Sequence, residues 1–96
     1  MKYKIIKADI FKFNVSNKTN WLFTRLQNNS GLYGWGEATL QGKEFEILEK
    51  KNDILQIILN SKFNSPFDLK PKLPFNDIVE AAISSSIMQC LWDIFS

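Results

Sequence analysis

Trp21-Leu22-Phe23-Thr24-Arg25-Leu26, then Asn28-Asn29-Ser30-Gly31, then Leu32-Tyr33-Gly34-Trp35-Gly36-Glu37-Ala38: the reading of this stretch decides the fold. Trp21, Phe23 and Arg25 alternate with Leu22, Thr24 and Leu26, and a period of two belongs to a strand. Asn29 and Gly31 both accept positive φ, so residues 28–31 form a hairpin turn. Residues 32–38 are the returning strand. Gly34 and Gly36 lower its strand propensity, and glycines in a strand mark a bulge or the close approach of another backbone.

On the N-terminal side, residues 3–13 are β-branched and aromatic. Ile6, Ala8 and Ile10 fall on one face, and Tyr3, Ile5, Phe11 and Phe13 on the other, which predicts a long first strand. Residues 14–20 are polar and read as a loop. On the C-terminal side the period changes. Ile47, Leu48, Ile54, Leu55, Ile58 and Leu59 recur at helical spacing within residues 44–60, with Glu44, Glu46 and Glu49 suiting the start of a helix dipole. Residues 61–74 hold Pro66, Pro71 and Pro74 and form a connection, with one helical turn about residues 67–70. Asn76 or Asp77 caps a last helix whose wide apolar stripe runs from Ile78 to Phe95. Ala81, Ala82, Ser84, Ser85 and Ser86 are small enough for close helix packing. The predicted fold is α+β: a three-stranded antiparallel meander followed by a small helical bundle, one domain spanning residues 1–96.

Composition narrows the chemistry. The chain has 96 residues, a net charge of +2, one cysteine and no histidine. A (β/α)₈ barrel needs about 250 residues. Without histidine the commonest general base and metal ligand are missing. Cys90 lies on the apolar stripe with no histidine to activate it, so it reads as inert core. A lone cysteine permits no internal disulfide and suits a cytoplasmic protein. Lys2, Lys4, Lys7, Asp9 and Lys12 interrupt any apolar leader, and no membrane span is expected. The 12 basic and 10 acidic residues are nearly balanced. The lysines are dispersed, so no nucleic-acid partner is expected. Glu37, after two glycines at a strand end, reads as a structural carboxylate, with a catalytic one as the alternative. Arg25 on the adjoining strand is its candidate ion-pair partner. The glycine-rich run 31–36 lacks a P-loop lysine and a following helix.

The segment 21–26, the run Asn29-Ser30-Gly31-Leu32-Tyr33-Gly34-Trp35-Gly36-Glu37-Ala38-Thr39-Leu40-Gln41-Gly42-Lys43-Glu44, and Ala81-Ala82-Ile83-Ser84-Ser85-Ser86-Ile87-Met88-Gln89-Cys90-Leu91-Trp92-Asp93-Ile94 together resemble the N-terminal capping domain of the mandelate racemase and muconate lactonizing enzyme group in the enolase superfamily. Cys90 stands where alanine is usual, and the connection 60–76 lacks an Arg-Gly-Gly type sequence. The run 34–43 leans toward the acid-sugar dehydratase branch.

The resemblance implies a cap that packs on a modified (β/α)₈ barrel of the same enzyme. That barrel would hold Mg²⁺ and the bases that abstract a proton α to a carboxylate, so no cofactor is expected on this chain. Two loops of the cap would close the site and select substrate. The first carries Asn17, Lys18, Thr19, Asn20 and Trp21, and the second Ala38, Thr39 and Leu40, followed by Gln41. The chain stops at Ser96, where such a barrel would begin, so catalytic residues are expected to be absent and the chain alone inactive. The last helix and the outer sheet face would then lack partners, which predicts self-association, as in a homo-oligomer, or a missing partner chain. Trp92 reads either as core or as facing the barrel. The contrasting reading is a stand-alone interaction module that uses its exposed apolar face to bind another protein.

Overall fold

The computed structural model describes residues 3–14 and 20–95. Strand β1 is Tyr3–Asn14, β2 is Asn20–Asn28 and β3 is Tyr33–Glu37. Helix α1 is Glu44–Ile58, β4 is Lys62–Phe63, α2 is Pro66–Leu69 and α3 is Ile78–Phe95, with a 3-10 turn at Lys70–Lys72 after α2. All neighbouring strands are antiparallel, in the order β3-β2-β1-β4.

The sheet therefore has four strands where the sequence predicts three. The fourth is two residues long and pairs with Tyr3 and Lys4 at the start of β1. It lies inside the proline-rich connection, and a run so short carries no periodicity to read. The helical turn expected about residues 67–70 is α2, with Ser65 as its cap: the Phe67 N–H donates to Ser65 Oγ (3.2 Å).

The faces of β1 also differ from the prediction. Ile5 and Ile10 are both wholly buried, while Ile6 is exposed. The register steps from Ile5 opposite Asn28 to Lys7 opposite Gln27, so β1 carries one extra residue there. This bulge reverses the alternation, which puts Ile5 on the same side as Ala8 and Ile10. On β2 the alternation holds throughout: Leu22, Thr24, Leu26 and Asn28 are buried, and the residues between them are not.

The core lies between that inner face and the helices. Ile47, Ile54, Leu55 and Ile58 of α1 meet Ile83, Ile87, Cys90 and Leu91 of α3 above Ile5, Ile10, Leu22 and Leu26. Lys51 fastens α1 to β1, donating to Asp9 Oδ1 (2.8 Å) and to the Ile10 carbonyl (3.0 Å). Asp77 caps α3 by accepting from the Glu80 N–H (2.8 Å), and Glu80 accepts in return from the Asn76 N–H (2.9 Å). By length and composition alone α3 could cross a membrane. Here it is the helix that covers the sheet.

The two strand glycines explain how closely it does so. A Cβ on Gly34 would run into the Cys90 carbonyl, and one on Gly36 into that of Ser86. Helix and strand meet backbone to backbone. Polar groups settle on the same seam. Thr24 Oγ1 and Ser86 Oγ share a hydrogen bond (2.7 Å), and the Cys90 thiol donates to the Thr24 carbonyl (3.3 Å). The outer edge of β3 is closed by α3 as well: the Trp35 N–H donates to Asp93 Oδ2 (2.9 Å) and the Glu37 N–H to Gln89 Oε1 (3.0 Å). Residues i and i+2 of a strand are about 6.7 Å apart and residues i and i+4 of a helix about 6 Å, so the two ladders match.

Candidate functional site

The candidate residues gather at the end of the sheet where β2 begins and β3 ends. Leu22 is the joint. Its carbonyl accepts the Ala38 N–H (2.9 Å), and its own N–H donates to Thr39 Oγ1 (3.0 Å). Ala38 is wholly buried, so the segment leaving β3 starts from a fixed point. Leu40 packs against the rim of the core, and its carbonyl accepts the Lys43 N–H (2.9 Å) just before α1. Asn20 and Trp21 open β2 on the neighbouring strand, opposite Asn14 and Phe13. Asn20, Trp21, Ala38, Thr39 and Leu40 thus lie at one end of the molecule, tied through one backbone unit. Asn17, Lys18 and Thr19 lie outside the described residues.

Trp21 supplies the rim's wall. It is 43% exposed, and its ring meets Phe23 edge-on (centroids 5.9 Å apart). Phe13 meets Phe23 in the same way at 5.5 Å. Edge-to-face packing of this kind orients a ring while leaving its other side free. Such a rim can contact a ligand and exclude water. The Thr39 hydroxyl is already engaged with the backbone, and among the described rim residues no nucleophile–base pair forms.

The remaining chemical candidates are placed elsewhere. Burial, aided by the negative charge of Asp93, pushes the Cys90 thiol up to about 12. A thiol so protonated is not a nucleophile at neutral pH. Arg25 does not pair with Glu37: the register sets Arg25 opposite Trp35 and Glu37 opposite Phe23. The Arg25 guanidinium lies instead against three rings, 4.9 Å from the Phe11 centroid, 5.1 Å from Tyr33 and 5.6 Å from Trp35. Cross-strand neighbours decide such contacts, and register cannot be read from one strand's alternation. Among the described residues no group of three or more carboxylates or thiols is placed to hold a metal ion. The described residues do not fit Mg²⁺.

Sequence reasoning passed over two features. Gln89 and Asp93, which close the β3 edge, are signalled only by their spacing of four on a helix beside a strand with glycines two apart. The second is a groove of about 470 Å³ between α2 and α3, lined by Phe67, Phe75, Met88 and Trp92 among others. Trp92 is 42% exposed, its ring edge-on to Phe67 at 5.1 Å. It belongs to this groove and is neither wholly core nor free.

No protein-family model matches the chain, and no curated protein matches it in sequence. Solved structures do. A muconate cycloisomerase from Azorhizobium caulinodans superposes with a TM-score of 0.80 at 17% identity over 99% of this chain and 28% of its own. A mandelate racemase/muconate lactonizing enzyme from Sulfitobacter gives 0.78 at 14% identity, over 97% of this chain and 26% of its own. A protein from Salmonella, provisionally assigned as a dehydratase, gives 0.75 at 22% identity, over 97% of this chain and 27% of its own. The fold of the chain is that of the N-terminal domain of these enzymes, and the chain spans little more than a quarter of their length.

Proposed function

We propose that this chain is the capping domain of a Mg²⁺-dependent enolase-superfamily enzyme, which closes the active site and selects the substrate. The substrate class is an acid sugar and the reaction its dehydration. Two things support the reading: the fold shared with muconate cycloisomerase, mandelate racemase and dehydratase-like structures, and the sequence run 34–43. The observation that carries it is the Leu22 joint, which holds the start of β2 and the exit of β3 side by side at one end of the sheet. Two segments so tied move together over whatever lies beneath them, and such lids exclude water and position substrate.

The metal and the proton-abstracting base belong, in this reading, to a barrel partner. Bound there, Mg²⁺ would supply Lewis-acid stabilisation of negative charge. This chain's own residues do a different job. Trp21 walls the site, Thr39 fixes the second segment, and Leu40 sets how far it reaches inward.

The test has two stages. The reading frame beyond the codon for Ser96 is expected to encode a barrel with spaced acidic ligands, and a stop codon there would count against the proposal. In the enzyme so encoded, Trp21→Ala and Leu40→Ala should change kcat/KM unequally across a panel of acid sugars and leave metal affinity unchanged. Equal effects on all substrates would remove these residues from specificity.

A further inference from the structure

The face of the sheet turned away from the helices is built of rings. Phe13, Trp21, Tyr33 and Trp35 are 52, 43, 46 and 46% exposed on it. An aromatic side chain offers about 150–250 Å² for burial, so these four alone present about half of the roughly 800 Å² that each partner contributes to a standard interface. A patch of that extent matches the largest on a typical monomer, and such patches are often functional. Phe11, Phe23 and the charged residues between them extend it.

We propose that this face is the interface between two copies of the chain, packed sheet against sheet about a two-fold axis. Charge chooses the occupant. Arg25 sits at the centre of the face, its guanidinium already ordered by Phe11, Tyr33 and Trp35; Asp9, opposite it on β1, is engaged by Lys51, and among the described residues Arg25 makes no ion pair. Glu37 stands diagonally across from it, exposed and likewise without an ion pair. A covering surface must therefore offer rings and, over these two residues, a carboxylate and a cation. The face itself offers all three. An ordered guanidinium loses little freedom on pairing.

The geometry closes. Arg25, Trp35, Glu37 and Phe23 form a rectangle on adjacent strands, Arg25 opposite Trp35 and Phe23 opposite Glu37. Its sides are about 4.8 Å across strands and about 6.7 Å along them. The two-fold that sets Arg25 over the partner's Glu37 also sets Glu37 over the partner's Arg25. It bisects the Arg25–Glu37 diagonal and passes close to Trp35 and Phe23, so each of these rings meets its own copy. Strands related by that axis cross at about 70°, near the orthogonal class of sheet packing. An interface of this kind is isologous and stops at two copies. It does not rest on the capping proposal: Trp21 at the edge of the face also walls the rim, but Arg25 and Glu37, on which the test turns, are not rim residues.

Sedimentation equilibrium on the chain across a dilution series tests it. A monomer–dimer equilibrium is expected. Arg25→Glu and Glu37→Arg should each weaken it by about 100-fold or more, because each sets like charges face to face. The double reversal should restore it to within about tenfold of the original. Urea unfolding checks that each variant folds. Glu37→Arg displaces no packed ring and keeps the test decisive if Arg25→Glu does not fold. A chain that is monomeric throughout overturns the proposal, as does a dimer indifferent to the reversals or a double variant that stays monomeric. A face protected from hydrogen exchange only when a further domain is joined to the chain also overturns it.

Discussion

One methyl group at Gly34 or Gly36 would part β3 from α3. At both positions an added Cβ meets helix backbone, which cannot rotate out of the way. Gly34→Ala and Gly36→Ala should each destabilise the chain by about 3 kcal/mol, toward the upper end for overpacking, as read from urea unfolding midpoints. The sequence carried this signal: two glycines in a strand indicate the approach of a backbone, and α3 is that backbone. Cys90 lies on the same seam, and its thiol makes a second residue-level prediction. Its pKa rises from 9.0 to about 12 because burial disfavours the thiolate. The folded state then holds a proton that the unfolded state releases, so this group's effect is constant below pH 9 and lowers stability as pH rises from 9 toward 12. The wild-type chain should lose stability across that window more steeply than Cys90→Ala. Equal slopes would mean that the thiol is accessible. Arg25 shows where residue reading stops. Its charge suggested a carboxylate partner, but register decided for three rings.

Among the elements, α3 joins more of the molecule than any stripe analysis suggests. Its inner side packs, and its Gln89 and Asp93 also serve as the missing hydrogen-bond partners for an edge strand. Edge strands left open invite association, and here side chains close one. Asp93→Ala should cost about 1 kcal/mol, since the bond is charge-assisted but exposed, and should speed exchange of the Trp35 amide specifically. Uniformly faster exchange over β3 would point to loss of packing. The starts of both long helices could be read from period and cap residues, with Asp77 one of two candidate caps, while α1 ends at Ile58, two residues before the expected limit. β4 could not, because two residues have no period. The inner face of β1 was assigned in the wrong phase over its first residues, because alternation assumes an unbroken pleat and the bulge at Ile6 breaks it.

At the scale of the molecule, the order of elements and the layered core were legible, because hydrophobic period and turn chemistry act locally. The candidate rim was legible only through resemblance. Nothing in the composition of residues 20–21 and 38–40 announces that Leu22 ties them together. The fate of Trp92 depends on the whole assembly: with its ring 42% exposed against Phe67, Trp92→Ala should cost about 2 kcal/mol, below the 3–5 kcal/mol of a fully buried aromatic. If a partner later covers the groove of Phe67, Phe75 and Met88, the same substitution should weaken that docking as well. A loss of Trp92 that changes neither would exclude it from both roles.

The bond between Trp35 and Asp93 spans 58 residues of chain. That span is also a delay. A ribosome adding about 5–20 residues per second finishes the meander about 3–12 s before it makes the residue that closes its edge. For those seconds β3 emerges with two bare glycines and unpaired amides facing outward, while the inner face of the sheet awaits its cover. The growing chain is most vulnerable to mispairing in that interval, so slowed elongation between residues 60 and 93 should lower its soluble yield more than slowing before residue 20.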